Sequence, residues 1–203
     1  MCAPLQNSFA NMRVTERAHQ SVRAVVRPGD HVVDATAGNG HDTLLLARLV
    51  GPDGRVIAFD VQEEAIAATR CRLAANGIEE GRVSFVNGSH TMLRQRVDRP
   101  VAVVMFNLGY LPGSDHAHTT TRDETLIALA EGWETLRESG ILSVVCYRGH
   151  PGGAEEAAGV LEYAEGLRDQ GAGVVISGQK ETQEGPFLVI MQKEEKQQVR
   201  TGP

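Results

Sequence analysis

HVVDATAGNGHDTLLLARLV at residues 31–50, followed after a four-residue turn by RVIAFD at 55–60, decides how this chain folds. A short β-branched run ends in a turn carrying Gly38 and Gly40, then passes into a leucine-rich helical run and a second apolar strand. That is one βαβ unit, and it makes the two strands parallel. The glycines let the chain turn tightly and let a ligand approach the backbone where the next helix begins. Asp60 ends the second strand twenty residues past Gly40. An acid there can accept hydrogen bonds from both hydroxyls of a ribose.

Working outward, the strand pattern repeats at His31–Ala35, Arg55–Asp60, Arg82–Asn87, Val101–Asn107, Ile141–Tyr147, Gly173–Ser177 and Phe187–Gln192. Near-continuous apolar runs of this kind suit strands buried on both faces. Helical faces alternate with them: Leu126, Leu129, Ala130, Trp133 and Leu136 trace one, and Ala157, Val160, Leu161, Ala164 and Leu167 another. The last two strands are joined by Gly178–Pro186, too short for a parallel crossover, so the last strand is expected to be antiparallel. A seven-stranded, mostly parallel α/β sheet with helices on both faces and an antiparallel last strand is the Rossmann-like layout of class I methyltransferases. It is not that of the dehydrogenases.

The chain has 203 residues and 41% apolar content, and no repeat or linker divides it. It reads as a single domain over 1–203, with a loose arm at 1–12 and a polar tail at 193–203. No apolar stretch is long enough to span a membrane, and the first twenty residues lack the apolar core of a secretion signal. Cys2, Cys71 and Cys146 form no CxxC pair, which speaks against a disulfide scaffold and fits the cytoplasm. Cys71 and Cys146 read as small packed residues. The net charge of −6 disfavours non-specific nucleic-acid binding. Local basic patches remain, at Arg13, Arg17, Arg23 and Arg27 and at Arg94, Arg96 and Arg99.

A glycine turn followed by an acid suits both NAD and S-adenosylmethionine. The dinucleotide fingerprint wants a third glycine where this chain has Thr43. Asp34, before the turn, would repel a pyrophosphate but suit the cationic methionine amine of S-adenosylmethionine. The expected contacts of that cofactor are Asp34, Thr36, Gly38, Asn39, Gly40, Asp42, Thr43, Asp60, Gln62, Ser89, His90 and Asn107.

A second constellation follows the fourth strand, FNLGYLPG at 106–113. In a doubly wound sheet the ends of strands 1 and 4 flank the switch point, so this loop faces the glycine turn. Its Asn-x-x-Tyr form resembles the Asn-Pro-Pro-Tyr loops of amino methyltransferases. There a side-chain carbonyl and a backbone carbonyl orient the target amine while a ring packs on the base. Asn107 with Leu108, and Tyr110, fit those roles, with Asp115 or His116 as proton acceptor. Pro112, Gly113, Tyr147, Arg148 and His150 are expected on the substrate side, with Arg13 and Arg17 for phosphates. His116-x-His118 has no third or fourth ligand at matching spacing, so no metal is expected. Thr121 with Glu124 reads as a helix capping box.

These blocks resemble the YtqB/MnmM family of class I S-adenosylmethionine-dependent methyltransferases. The similarity rests on DATAGNGHDT (34–43), FDVQEEAI (59–66), FNLGYLPGSDHAHTTTRDET (106–125), YRGHPGGAEE (147–156) and GPFLVIMQK (185–193). The resemblance implies a tRNA methyltransferase that converts 5-aminomethyl-2-thiouridine at the wobble position of the anticodon loop to its methylaminomethyl form. Ser114 departs from the glycine expected there, which weakens substrate identity more than cofactor identity. The alternatives are an rRNA or small-molecule amine methyltransferase, or a silent S-adenosylmethionine-binding module. The sequence leaves a homodimer open.

Overall fold

The computed structural model describes residues 12–109, 120–178 and 185–195. The strands are β1 His31–Asp34, β2 Arg55–Asp60, β3 Val83–Asn87, β4 Val101–Asn107, β5 Leu136–Cys146, β6 Gly173–Ser177 and β7 Phe187–Gln192. They form one sheet in the order β3-β2-β1-β4-β5-β7-β6. The first five run parallel, and β7 runs against both of its neighbours, β5 and β6. The antiparallel closing strand is therefore as the short connection required.

The helices are α1 Val14–Val25, α2 His41–Val50, α3 Glu63–Ala75, α4 Leu93–Arg96, α5 Arg122–Thr135 and α6 Gly153–Asp169. Alternation along the strands splits the core in two. Val33, Phe59, Val104, Phe106 and Leu142 face one side, where Leu129 of α5 and Val160 of α6 cover them. Val32, Val56, Val103, Met105 and Ile141 face the other, under Val22 of α1, Leu46 of α2 and Leu73 of α3. Burial on both faces is why these strands read as unbroken apolar runs rather than as alternating ones. No helix among the described residues is long and apolar enough to cross a membrane.

Two sequence readings change here. Leu136 does not close the face of α5; it opens β5 opposite Val101, five residues before the expected start. Lys193 holds that junction, its Nζ donating to the carbonyls of Trp133 at 3.1 Å and Leu136 at 3.2 Å. A register shift follows at once, and Ser139 takes a positive φ of 58°. The irregularity hid these residues from a periodicity reading. Cys71, read as packed, is exposed on α3, whereas Cys146 is buried and burial pushes its thiol pKa up. Thr121 does cap α5, accepting the backbone N–H of Glu124, while its own hydroxyl donates to the Glu124 carboxylate.

Candidate active site

The glycine turn is built from below by α3. Thr69 Oγ1 donates to the Gly38 carbonyl at 3.0 Å, and Arg72 Nε donates to the Asn39 carbonyl. Gly40 has φ +78°, and a Cβ on it would lie 2.9 Å from Thr69 Cα. Gly40 is thus required by close helix packing, while Gly38 is the glycine that meets the cavity. Asp60 Oδ2 accepts the Gly38 N–H at 2.8 Å and Oδ1 accepts the Gln62 N–H at 2.9 Å. Two backbone donors hold the carboxylate in place and leave lone pairs for a vicinal diol.

A cavity of about 790 Å³ opens over the carboxyl ends of β1 to β4. Its wall takes Thr36, Gly38, Asn39 and Asp42 from the first turn, then Asp60 and Gln62 after β2. Ser89 and His90 follow β3, and Asn107 and Leu108 follow β4. Tyr147 and Arg13 complete the set that the sequence brought forward and the fold brings together. The end of β4 is pinned to the turn by the Asn107 N–H, which donates to Thr36 Oγ1 at 2.8 Å. His90 is buried, its Nδ1 3.2 Å from the Ala35 carbonyl and its ring edge-on to Phe106. A carbonyl only accepts, so Nδ1 carries the hydrogen and Nε2 is left as an acceptor. Burial holds this imidazole below its ordinary pKa, hence neutral.

Asp34, Gly40 and Thr43 do not reach the cavity. The Asp34 side chain is fully buried beneath the turn, accepting Thr43 Oγ1 at 2.6 Å and the Thr36 N–H at 3.2 Å. Burial first, and the nearby Asp42 charge second, push its carboxyl up to about 7. Its work is to brace the turn, and a methionine amine has no access to it there. Arg17 likewise is no surface cation; it is 6% exposed on α1, with Nε donating to the Met12 carbonyl at 3.0 Å. It faces a smaller neighbouring cavity that shares Arg13 and Tyr147 with the main one. Arg148 stacks over the Phe187 ring at 4.3 Å, and His150 is buried with Nδ1 3.1 Å from the Pro151 carbonyl. Neither lines the main cavity. Tyr110, Pro112, Gly113, Asp115 and His116 lie outside the described residues.

The sequence missed the roof. Thr15, Glu16 and His19 of α1 line the cavity, as do Thr120 and Glu124 at the start of α5. His19 Nε2 lies 2.6 Å from Asp42 Oδ1, closing α1 onto α2. Beyond the cations Arg13 and Arg17, no local signal marks α1 as part of the site, because the contact that closes it over the cavity, His19 to Asp42, spans 23 residues of sequence.

The cavity volume lies in the range of small-molecule and cofactor sites, roughly 300–1,000 Å³. The Asp60 carboxylate, held by two backbone donors, has the chemistry to accept a ribose diol. Sheet order, glycine turn and cavity together define a class I S-adenosylmethionine-dependent methyltransferase. The fold superposes on a Clostridium thermocellum structure titled "putative rRNA-methylase" with TM-score 0.85 and 39% identity, over 90% of this chain and 98% of that one. A Streptococcus mutans "putative methyltransferase" in complex with SAH superposes with TM-score 0.79 and 32% identity, over 90% of this chain and 98% of that one. The chain belongs to the family described as "Putative rRNA methylase", whose model matches residues 56–193. It is also 39% identical over 168 residues to the chloroplastic tRNA (mnm(5)s(2)U34)-methyltransferase of Arabidopsis thaliana, covering 78% of this chain and 61% of that relative. The chain thus spans less than two thirds of that relative's length.

Proposed function

We propose that this protein methylates the aminomethyl nitrogen of the wobble uridine in tRNA, in the cytoplasm, converting 5-aminomethyl-2-thiouridine to 5-methylaminomethyl-2-thiouridine. The observation that carries the reading is Asn107 with Leu108 on the cavity wall at the end of β4, facing the same space as Gly38 and Asp60. The likeness to a tRNA (mnm(5)s(2)U34)-methyltransferase supports the substrate.

S-adenosylmethionine, when bound, supplies a methyl group already activated on a sulfonium. The chain's share is therefore alignment and exclusion of water. An alkylamine resembles the lysine amine, with a pKa of about 10.4, so it arrives protonated and must lose a proton before it can attack. The Asn107 side-chain carbonyl and the Leu108 backbone carbonyl accept the two remaining N–H hydrogens and aim the lone pair. Asp115 or His116 receives the departing proton. Tyr147 offers a ring on which a splayed base can stack, and Arg13 at the cavity mouth offers a phosphate contact.

The test is incubation of tRNA lacking wobble methylation with the protein and isotope-labelled S-adenosylmethionine, followed by nucleoside mass spectrometry. Label in 5-methylaminomethyl-2-thiouridine is the expected result. Label in rRNA or in free amines, with none in that nucleoside, would reject the substrate while keeping the methyltransferase.

A further inference from the structure

Among the described residues four carboxylates reach the wall of the main cavity: Glu16, Asp42, Asp60 and Glu124. Three of them are committed. Glu16 pairs with Arg13 at 2.8 Å, and Asp42 with His19 at 2.6 Å. Asp60 takes backbone N–H groups on both oxygens, and its remaining lone pairs suit the ribose hydroxyls of the cofactor. Glu124 accepts the Thr121 hydroxyl at 2.9 Å and forms no ion pair among the described residues. An exposed carboxylate that opens onto a cavity, with no ion pair among the described residues, is open to a charge-assisted hydrogen bond from a cationic ligand.

This one stands on the wall that also holds the end of β4. Glu124 stands in the first turn of α5, and it shares the wall with Thr120 and with Asn107, Leu108 and Gly109 after β4. That turn is held from behind. The Glu156 carboxylate, 2% exposed, accepts Thr120 Oγ1 at 3.0 Å and Thr125 Oγ1 at 2.5 Å. Thr125 and Glu156 are each the fourth residue of their helices, α5 and α6. The positive ends of the two helix dipoles therefore offset the buried charge. Glu156 is thus a positioning residue for the wall that carries Glu124.

We propose that Glu124 is the group that recognises the substrate as a primary alkylammonium, receiving the cationic aminomethyl arm before its proton is removed. The contact is non-covalent: a charge-assisted N–H···O bond from the ammonium to the carboxylate. It rests on the wobble-uridine reading above, and it supplies what Asn107 lacks. A neutral amide orients a free amine but does not favour a cation over an unmodified uridine.

Glu124 also completes the cap of α5, and Glu and Gln serve equally at that capping position. Glu124→Gln therefore keeps the cap and removes the charge, which separates the two roles. Two synthetic anticodon stem-loops, one with 5-aminomethyl-2-thiouridine and one with 2-thiouridine at the wobble position, are titrated against the S-adenosylhomocysteine-loaded protein. The wild type is expected to prefer the aminomethyl RNA by about tenfold, the scale of one charge-assisted contact from an exposed side chain. E124Q should lose that preference, with unchanged melting temperature, S-adenosylhomocysteine affinity and binding of the 2-thiouridine RNA. A preference that survives in E124Q, or is missing from the wild type, overturns the proposal. So does loss of S-adenosylhomocysteine affinity in E124Q, which would put Glu124 on the cofactor. Methyl transfer is followed in parallel. Preference without turnover sinks the wobble-uridine reading alone, and turnover with the preference intact in E124Q sinks the Glu124 assignment alone.

Discussion

Replacing Asp34 by Asn should stabilise the protein, and increasingly so as the pH rises. Asp34 lies fully buried under the glycine turn, with two polar partners and no cation beside it among the described residues, and its carboxyl is pushed from 3.8 up to about 7. A carboxyl raised in the folded state stays protonated there while the unfolded chain has already ionised. Between about pH 4 and pH 7 the native state binds the extra proton, so stability falls as pH rises through that window. Each pH unit costs about 1.4 kcal/mol, and the whole window costs about 4 kcal/mol. Asn keeps the shape, an acceptor for the Thr36 N–H and a partner for the Thr43 hydroxyl, but does not ionise. Urea unfolding of wild type and Asp34→Asn at pH 4.5, 6 and 8 should show a stability difference that widens by about 3–4 kcal/mol. Parallel pH profiles for the two proteins would refute the reasoning, because they would mean that Asp34 ionises in the fold as easily as in water.

Three further outcomes follow from the geometry. Asn107→Ala should lower kcat on the RNA substrate by about a hundredfold, because alignment of the amine is lost; calorimetry should find S-adenosylhomocysteine affinity within about threefold. Comparable losses in both would place Asn107 on the cofactor alone. Gly40→Ala adds a Cβ 2.9 Å from Thr69 Cα at φ +78°, and should cost about 3 kcal/mol in urea unfolding. A loss below about 1 kcal/mol would show that α3 can move away at little cost. Arg13→Glu should raise the KM for tRNA about fivefold at low salt and less at high salt, with cofactor binding unchanged. A KM that does not move would remove Arg13 from the RNA path.

The sequence by itself determined the parts whose physics is local. β-branched runs, the tight turn at Gly38, Asp60 at a strand end and a connection too short for a crossover set the sheet and its antiparallel closing strand. They also mark a nucleoside-cofactor site, because a ribose-binding acid follows the turn in register, and Thr43 in place of a third glycine turns that reading from NAD to S-adenosylmethionine. Only the tertiary structure decided which polar side chains are available to a ligand. Asp34 read as a cofactor contact and Arg17 as a phosphate contact, yet both lie inside, and Gly40 serves Thr69 on α3 rather than a ligand. Glu124 looked like a capping residue and nothing more until the fold set it on one wall with Asn107, seventeen positions earlier. Burial and counter-charge belong to neighbours that the chain brings together from far apart, and periodicity carries no record of them.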